Sequence, residues 1–157
     1  MTYDLSESIL VPATPARTWR LISDVTRTGE WSPQCYRCEW DTDDRGVGAT
    51  FTGYNRTPER EWHTTSTVIT ADEDREFAWS VGPGKAIWGF RLAAAEDGQT
   101  ELTEYTVVGE SVDAFFREKY GDDAEAQLAD RQRHAADGIP ATLSAIRSIL
   151  ATDRPTA

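Results

Sequence analysis

Apolar and polar residues alternate along most of the first 109 residues, with the two-residue period of a β-strand that buries one face. The alternation starts at Tyr3–Val11 and resumes at Cys35–Asp41. Short polar turns then separate five more stretches of the same kind. These strands are predicted near residues 49–57, 61–71, 75–81, 86–95 and 100–109. The pattern predicts seven strands, and their short connections favour an antiparallel sheet.

Two short helices are predicted between the first two strands. Thr14 is a suitable N-cap, Pro15 suits the first helical position, and residues 16–23 have the helical period. A second short helix or turn is expected over residues 24–30, stopping near Gly29.

The C-terminal part of the chain changes to a helical period. From Ala124 to about Ala151, apolar residues recur every three or four positions, which predicts one long amphipathic helix. Gly138 and Pro140 interrupt this stripe, so a kink or a break is expected there. The tail over residues 153–157 is expected to be frayed.

The sheet and the long helix each have an apolar face that must be covered. If Phe51 points inward, strand alternation brings the bulky aromatic residues to one face of the sheet. They are Phe51, Trp62, Phe77, Trp79, Trp88 and Phe90. Curling the sheet around the helix covers both apolar faces, which predicts one α+β domain over residues 1–152. The space between sheet and helix is the candidate pocket.

The polar segment at residues 110–123 precedes the long helix. It contains Phe115, Phe116 and Tyr120, whose side chains are expected at the surface. The segment is predicted either as a lid over the pocket or as a plain surface loop. A protein-interaction role for this segment is a third hypothesis for the function.

Charge and cysteine content narrow the classes of function. The net charge of −11 and a pI near 4.6 argue against nucleic acid or an anionic membrane as partner. No signal peptide and no apolar stretch of about 20 residues is present, which predicts a cytoplasmic protein without membrane insertion. The two cysteines, Cys35 and Cys38, fall in a predicted strand that would point their thiols to opposite faces. They are expected to be buried or half-buried free thiols. A C-x-x-C redox pair is the alternative, but it favours a helix N-terminus, and no metal site is predicted.

Several motifs in this order resemble the START-like helix-grip superfamily, also called SRPBCC, and actinobacterial polyketide cyclase/dehydratase-like proteins most of all. The motifs are PATPARTWRLISD, GEWSP, GVGATFTGYNR, EWHTTSTV, REFAWSV, TELTEY and ATLSAIRSIL. The resemblance covers nearly the whole chain. It implies a helix-grip (Bet v 1-like) fold, in which about seven antiparallel strands curve around a long C-terminal helix and two short helices follow the first strand.

The resemblance also implies a deep apolar cavity, no cofactor, and no single reaction. Members bind lipids or polyketide-like molecules, and some cyclise or dehydrate polyketide chains. Trp31 follows the short helices, where this fold keeps its cavity entrance; it either gates the entrance or plugs the end of the barrel. The oligomeric state stays open, and a homodimer is compatible with the sequence.

Two polar residues fall on the aromatic face by strand alternation, Asn55 and Glu104. A carboxyl group in such a pocket is a candidate acid or base. Glu104 could instead pair with Arg56 or Arg91, and Asn55 could cap the turn before Pro58. Ser66 completes the set of predicted pocket residues, together with Trp31 and the aromatic residues named above.

Two functions follow from this pocket. The first is binding of an apolar or aromatic small molecule, lipid-like or polyketide-like, with its polar end held by Asn55 and Glu104. The alternative is a cyclase, aromatase or dehydratase in which Glu104 is the acid or base and Asn55 holds the enol oxygen.

Overall fold

The computed structural model describes residues 1–152 and contains one seven-stranded sheet with three α-helices. The strands are β1 (Tyr3–Val11), β2 (Cys35–Trp40), β3 (Thr50–Arg56), β4 (Glu61–Asp72), β5 (Glu76–Val81), β6 (Ala86–Ala94) and β7 (Thr100–Val108). The helices are α1 (Pro15–Ile22), α2 (Glu110–Tyr120) and α3 (Ala124–Thr152). The sheet order is β1-β7-β6-β5-β4-β3-β2, antiparallel throughout. The predicted α+β helix-grip architecture is confirmed. The tail predicted as frayed lies outside the described residues.

The two predicted short helices are present between β1 and β2. The Thr14 hydroxyl accepts a hydrogen bond from the backbone N–H of Arg17 at 3.2 Å, which satisfies an otherwise unpaired donor in the first turn of α1. The second element is a 3₁₀ helix over Val25–Glu30, capped by the Asp24 carboxylate.

The strand register brings the predicted aromatic residues to one face. Phe77 lies opposite Phe90, and Trp79 lies opposite Trp88. The Trp79 ring contacts three phenylalanine rings with centroids 5.7–6.0 Å away. We call this side of the sheet the inner face, because the apolar stripe of α3 shares its buried core.

The stripe of α3 is buried as its periodicity predicts. Its buried apolar side chains include Leu128, Ala135, Ile139, Leu143, Ile146 and Leu150. Each leucine or isoleucine contributes roughly 1.5–3 kcal/mol by leaving water. α3 makes its main sheet contacts with β1 and β7, at one side of the sheet.

The expectation of a loop before the long helix is wrong. Residues 110–120 form α2 rather than a loop, and this helix packs against α3. Phe116 packs against the buried cluster that contains Val112 and Leu128. The Phe115 ring contacts Gly84, where an added Cβ would lie 3.2 Å from the ring. Both phenylalanines therefore stabilise a helix–sheet contact, which weakens the hypothesis that they dock a partner.

The predicted break in the long helix is absent, because α3 runs continuously through Gly138 and Pro140. Proline lacks the N–H that would bond to the carbonyl one turn earlier, so one backbone hydrogen bond is missing there. The buried neighbours Ile139 and Thr142 hold this part of the helix against the core. Packing against the core thus outweighs the helix-breaking tendency of Gly138 and Pro140.

The expectation that Cys35 and Cys38 point to opposite faces is also wrong. Cys35 pairs with Asn55, and Arg37 pairs with Tyr54, so Tyr36 is the extra residue of a β-bulge. The bulge reverses the alternation, and both cysteines lie on the inner face.

Candidate functional site

Glu104 is the most unusual side chain on the inner face. It is 5% exposed and lies on β7 directly opposite Phe90. Within residues 1–152, its carboxyl group makes no hydrogen bond or ion pair. Burial raises the pKa of this carboxyl well above its ordinary value. Since the protonated form is favoured, Glu104 can present an O–H donor to a ligand.

Neither arginine considered as a partner of Glu104 reaches it. The Arg91 Nε lies 3.3 Å from Glu76 Oε2, and the Arg91 guanidinium stacks over the Tyr105 ring, with its carbon 4.0 Å from the ring centroid. The Arg56 guanidinium stacks over the Tyr36 ring. Across the ladders Glu104 therefore lies between Phe90 on β6 and the exposed Glu7 on β1.

The indole rings of Trp79 and Trp88 are the partly accessible part of the inner face on the β5–β6 side of Glu104. Trp88 is diagonal to Glu104 across the β6–β7 ladder, a separation of about 7–8 Å between Cα atoms. Phe77 and Phe90 in the neighbouring row are each 2% exposed, whereas Trp79 and Trp88 are only half-buried. Because α3 packs mainly on β1 and β7, the two indole rings keep an accessible edge. This edge is where an apolar ligand can pack next to the carboxyl group.

The other predicted pocket residues divide into core and rim. Phe51, Ser66, Phe77 and Phe90 are buried on the inner face and form part of its packed surface. Trp31 is 6% exposed and belongs to the same apolar core, which favours its interpretation as a plug over that of a gate.

Asn55 and Trp62 share the inner face, but at a different place from Glu104. They are opposite each other on β3 and β4, and the Asn55 amide donates to the carbonyl of Gly53 at 3.3 Å. Strands β4, β5 and β6 separate Asn55 from Glu104, roughly 19 Å along the sheet at about 4.8 Å per strand. The two predicted catalytic residues are thus four strand spacings apart along the sheet.

Trp62 lies at a surface cleft of about 230 Å³ between the β3–β4 hairpin and α3. The Arg60 guanidinium carbon lies 3.7 Å from the centroid of the Trp62 ring, and Arg131 and His134 approach from α3. Burial and the nearby Arg131 charge lower the pKa of Arg60. The sequence analysis missed both arginines. A signal was present for Arg60, because it precedes Trp62 by two residues and side chains two apart share one face of an extended segment.

The comparisons with known proteins agree with this architecture. The family described as polyketide cyclase / dehydrase and lipid transport has a sequence model that matches residues 2–142. The solution NMR structure of the Polyketide_cyc-like protein Cgl2372 from Corynebacterium glutamicum is 42% identical, with a TM-score of 0.71 over 98% of this chain and 94% of that one. A comparison with curated proteins finds no match.

More distant structures share the fold. The Zhui aromatase/cyclase from Streptomyces sp. R1128 is 17% identical, with a TM-score of 0.72 over 96% of this chain and 94% of that one. The protein Ms6760 from Mycobacterium smegmatis is 16% identical, with a TM-score of 0.68 over 96% and 92% of the two chains. Among the helices described, none has the length and apolar character needed to cross a membrane. From the family match over most of its length and the 42% identity to Cgl2372, the chain belongs to the polyketide cyclase / dehydrase and lipid transport family.

Proposed function

We propose that this protein binds an apolar or aromatic small molecule, of the lipid or polyketide kind, between the inner face and α3. The observation that carries the proposal is Glu104, a buried carboxyl group without a partner beside two half-exposed indole rings. The ligand packs on Trp79 and Trp88 and directs a carbonyl or hydroxyl oxygen towards the carboxyl O–H. Family membership supports both the lipid and the polyketide class.

Packing and hydrogen bonding have separate roles in this proposal. Apolar contact contributes roughly 25 cal/mol for each Å² of ligand and protein surface removed from water. A hydrogen bond to Glu104 adds only about 0.5–1.5 kcal/mol, but it selects the orientation of the ligand. The ligand is therefore a largely apolar molecule with a hydrogen-bond acceptor at one end.

A cyclase, aromatase or dehydratase activity is the second candidate, and the raised pKa of Glu104 favours it. A carboxylic acid whose pKa is raised by burial holds its proton to higher pH than an exposed glutamate, and it can deliver that proton to a leaving hydroxyl or a carbonyl oxygen. In this version Glu104 is the proton donor, and Asn55, four strand spacings away along the sheet, is not required.

Native mass spectrometry of the freshly purified protein, with tryptophan fluorescence against lipids, flavonoids and polyketides, tests the proposal. A retained or quenching molecule is the expected result. Trp88→Ala should weaken its binding at least tenfold. Trp40→Ala is the matched control, since Trp40 lies on β2 at the far edge of the sheet. Equal loss in both variants, or no binding across the panel by both methods, would contradict the proposal.

Glu104→Gln separates the two candidates. The glutamine amide keeps the size of the side chain and a hydrogen-bond donor, so a binding protein retains its ligand within a fewfold of the original affinity. The amide cannot act as an acid or base. An enzyme keeps binding and loses turnover by about 10²-fold or more. The control is Glu101→Gln, which changes an exposed glutamate on the same strand.

A further inference from the structure

The two cysteines of the chain occupy adjacent inner-face positions on β2 because of the bulge at Tyr36. Cys35 is opposite Asn55, and Cys38 is opposite Gly53. Asn55 and Gly53 are two residues apart on β3, whereas Cys35 and Cys38 are three residues apart on β2. The bulge therefore makes neighbours of two thiols that a regular strand would separate.

The spacing across the bulge fits a disulfide. Two residues of β3 cover about 6.7 Å, and the Cα atoms of Cys35 and Cys38 are matched to that distance. Disulfides join Cα atoms that are usually about 4.4–6.8 Å apart. The absence of a side chain at Gly53 keeps the space open, since a Cβ there would stand 3.3 Å from the Cys35 sulfur.

The two thiols differ in exposure and acidity. Cys35 is half-buried, whereas Cys38 is 4% exposed. The neighbouring Cys38 thiol, followed by contacts with the Arg37 and Tyr54 backbone, lowers the pKa of Cys35. The same interaction with Cys35, together with burial, raises the pKa of Cys38. An accessible, acidified thiol beside a second thiol is the arrangement in which a first oxidation is resolved as a disulfide.

We propose that Cys35 and Cys38 form a dithiol site that a hydroperoxide oxidises to an intramolecular disulfide. The Cys35 thiolate attacks one peroxide oxygen, the O–O bond breaks, and the departing hydroxide takes up a proton to become water. The Cys38 sulfur then attacks the Cys35 sulfenic acid, the S–O bond breaks, and a second water leaves with the Cys38 proton. Two electrons pass from the two sulfurs to the peroxide, and a dithiol restores both thiols.

The test treats the full chain with hydrogen peroxide and measures its intact mass and free thiols. The expected mass loss is about 2 Da, with both thiols consumed together and restored by dithiothreitol. Trypsin cleaves after Arg37, between the two cysteines, so the disulfide should join the peptides of residues 28–37 and 38–45. With limiting iodoacetamide, the peptide 28–37 should be labelled first.

Single-cysteine variants are the controls for the internal disulfide. Cys38→Ser should gain oxygen on Cys35 instead of losing 2 Da, whereas Cys35→Ser should keep its buried Cys38 thiol. Cys38→Ala replaces Cys38→Ser if the latter does not fold. Two outcomes overturn the proposal: wild-type protein that gains oxygen on each cysteine separately, and disulfide-linked dimers in place of an internal bridge. Retention of both thiols under peroxide that oxidises Cys38→Ser would overturn it as well.

Discussion

Replacing Glu104 should make the protein more stable while impairing the site. The carboxyl group is 5% exposed and has no hydrogen-bond partner among the described residues. A buried polar group left unpaired costs about 1–3 kcal/mol. Glu104→Met keeps the chain length of the side chain and removes this cost, so the free energy of unfolding should rise by roughly that amount. For a domain of this size, the midpoint of thermal unfolding should rise by about 2–12 °C.

The pH dependence of the free energy of unfolding shows whether the ionisation of Glu104 causes this difference in stability. Because burial raises the pKa of Glu104, the native state holds a proton that the unfolded chain releases. Between the pKa of an unfolded glutamate, about 4.3, and the higher native value, stability falls as the pH rises. Glu104→Gln has no proton to lose. It should match the wild type near pH 3.5, below the pKa of the unfolded glutamate, and exceed it near pH 8, whereas Glu104→Met should exceed it at both.

Urea unfolding of the three proteins at both pH values measures these differences, with Glu101→Gln as the exposed control on the same strand. If Glu104→Met lowers the free energy of unfolding by 1 kcal/mol or more, the carboxyl group has a stabilising partner and the reasoning fails. An equal gain for Glu104→Gln at both pH values would show that ionisation has no part in it.

Three further changes test other parts of the structure. The Thr18 hydroxyl is buried without a hydrogen-bond partner among the described residues, so Thr18→Val should raise the free energy of unfolding by about 1 kcal/mol in urea titrations. Gly89→Ala should lower it by about 1–3 kcal/mol, because the added Cβ would stand 2.5 Å from the Tyr105 ring; Gly46→Ala, in open space, should be nearly neutral. Asn55→Ala should leave the affinity for the ligand within about twofold, because Asn55 lies far along the sheet from Glu104; a tenfold loss in the fluorescence titration would show that the two residues share a site.

The fold was predictable because strand alternation, turn residues and caps all favour the same architecture. Strand alternation also predicts that Glu104 points inward, since Leu102 and Thr106 on either side are apolar or buried. The same alternation turns Arg91 away from Glu104, because its neighbour Phe90 points inward. The register puts Arg91 opposite Glu76, on the outer face.

Local irregularities account for the expectations that failed. A bulge shifts the alternation by one residue, and nothing in CYRC marks Tyr36 as the unpaired position. The helical segment α2 has too few apolar residues to show its period, and its contacts with α3 decide its structure. The position of Asn55 relative to Glu104 depends on strand order, which local patterns do not determine.

The surroundings of Glu104 favour binding over chemistry as the proposed role. A cyclisation or dehydration needs a group that takes a proton and another that stabilises the developing oxyanion. Thr106, the next inner-face residue of β7, already donates its hydroxyl hydrogen to the Ile87 carbonyl at 2.9 Å. Asn55 is three intervening strands away. A single protonated carboxyl group beside indole rings suffices to orient a ligand oxygen. Catalysis would require a second polar group, and the chain places Glu7, an exposed carboxylate, opposite Glu104 on β1.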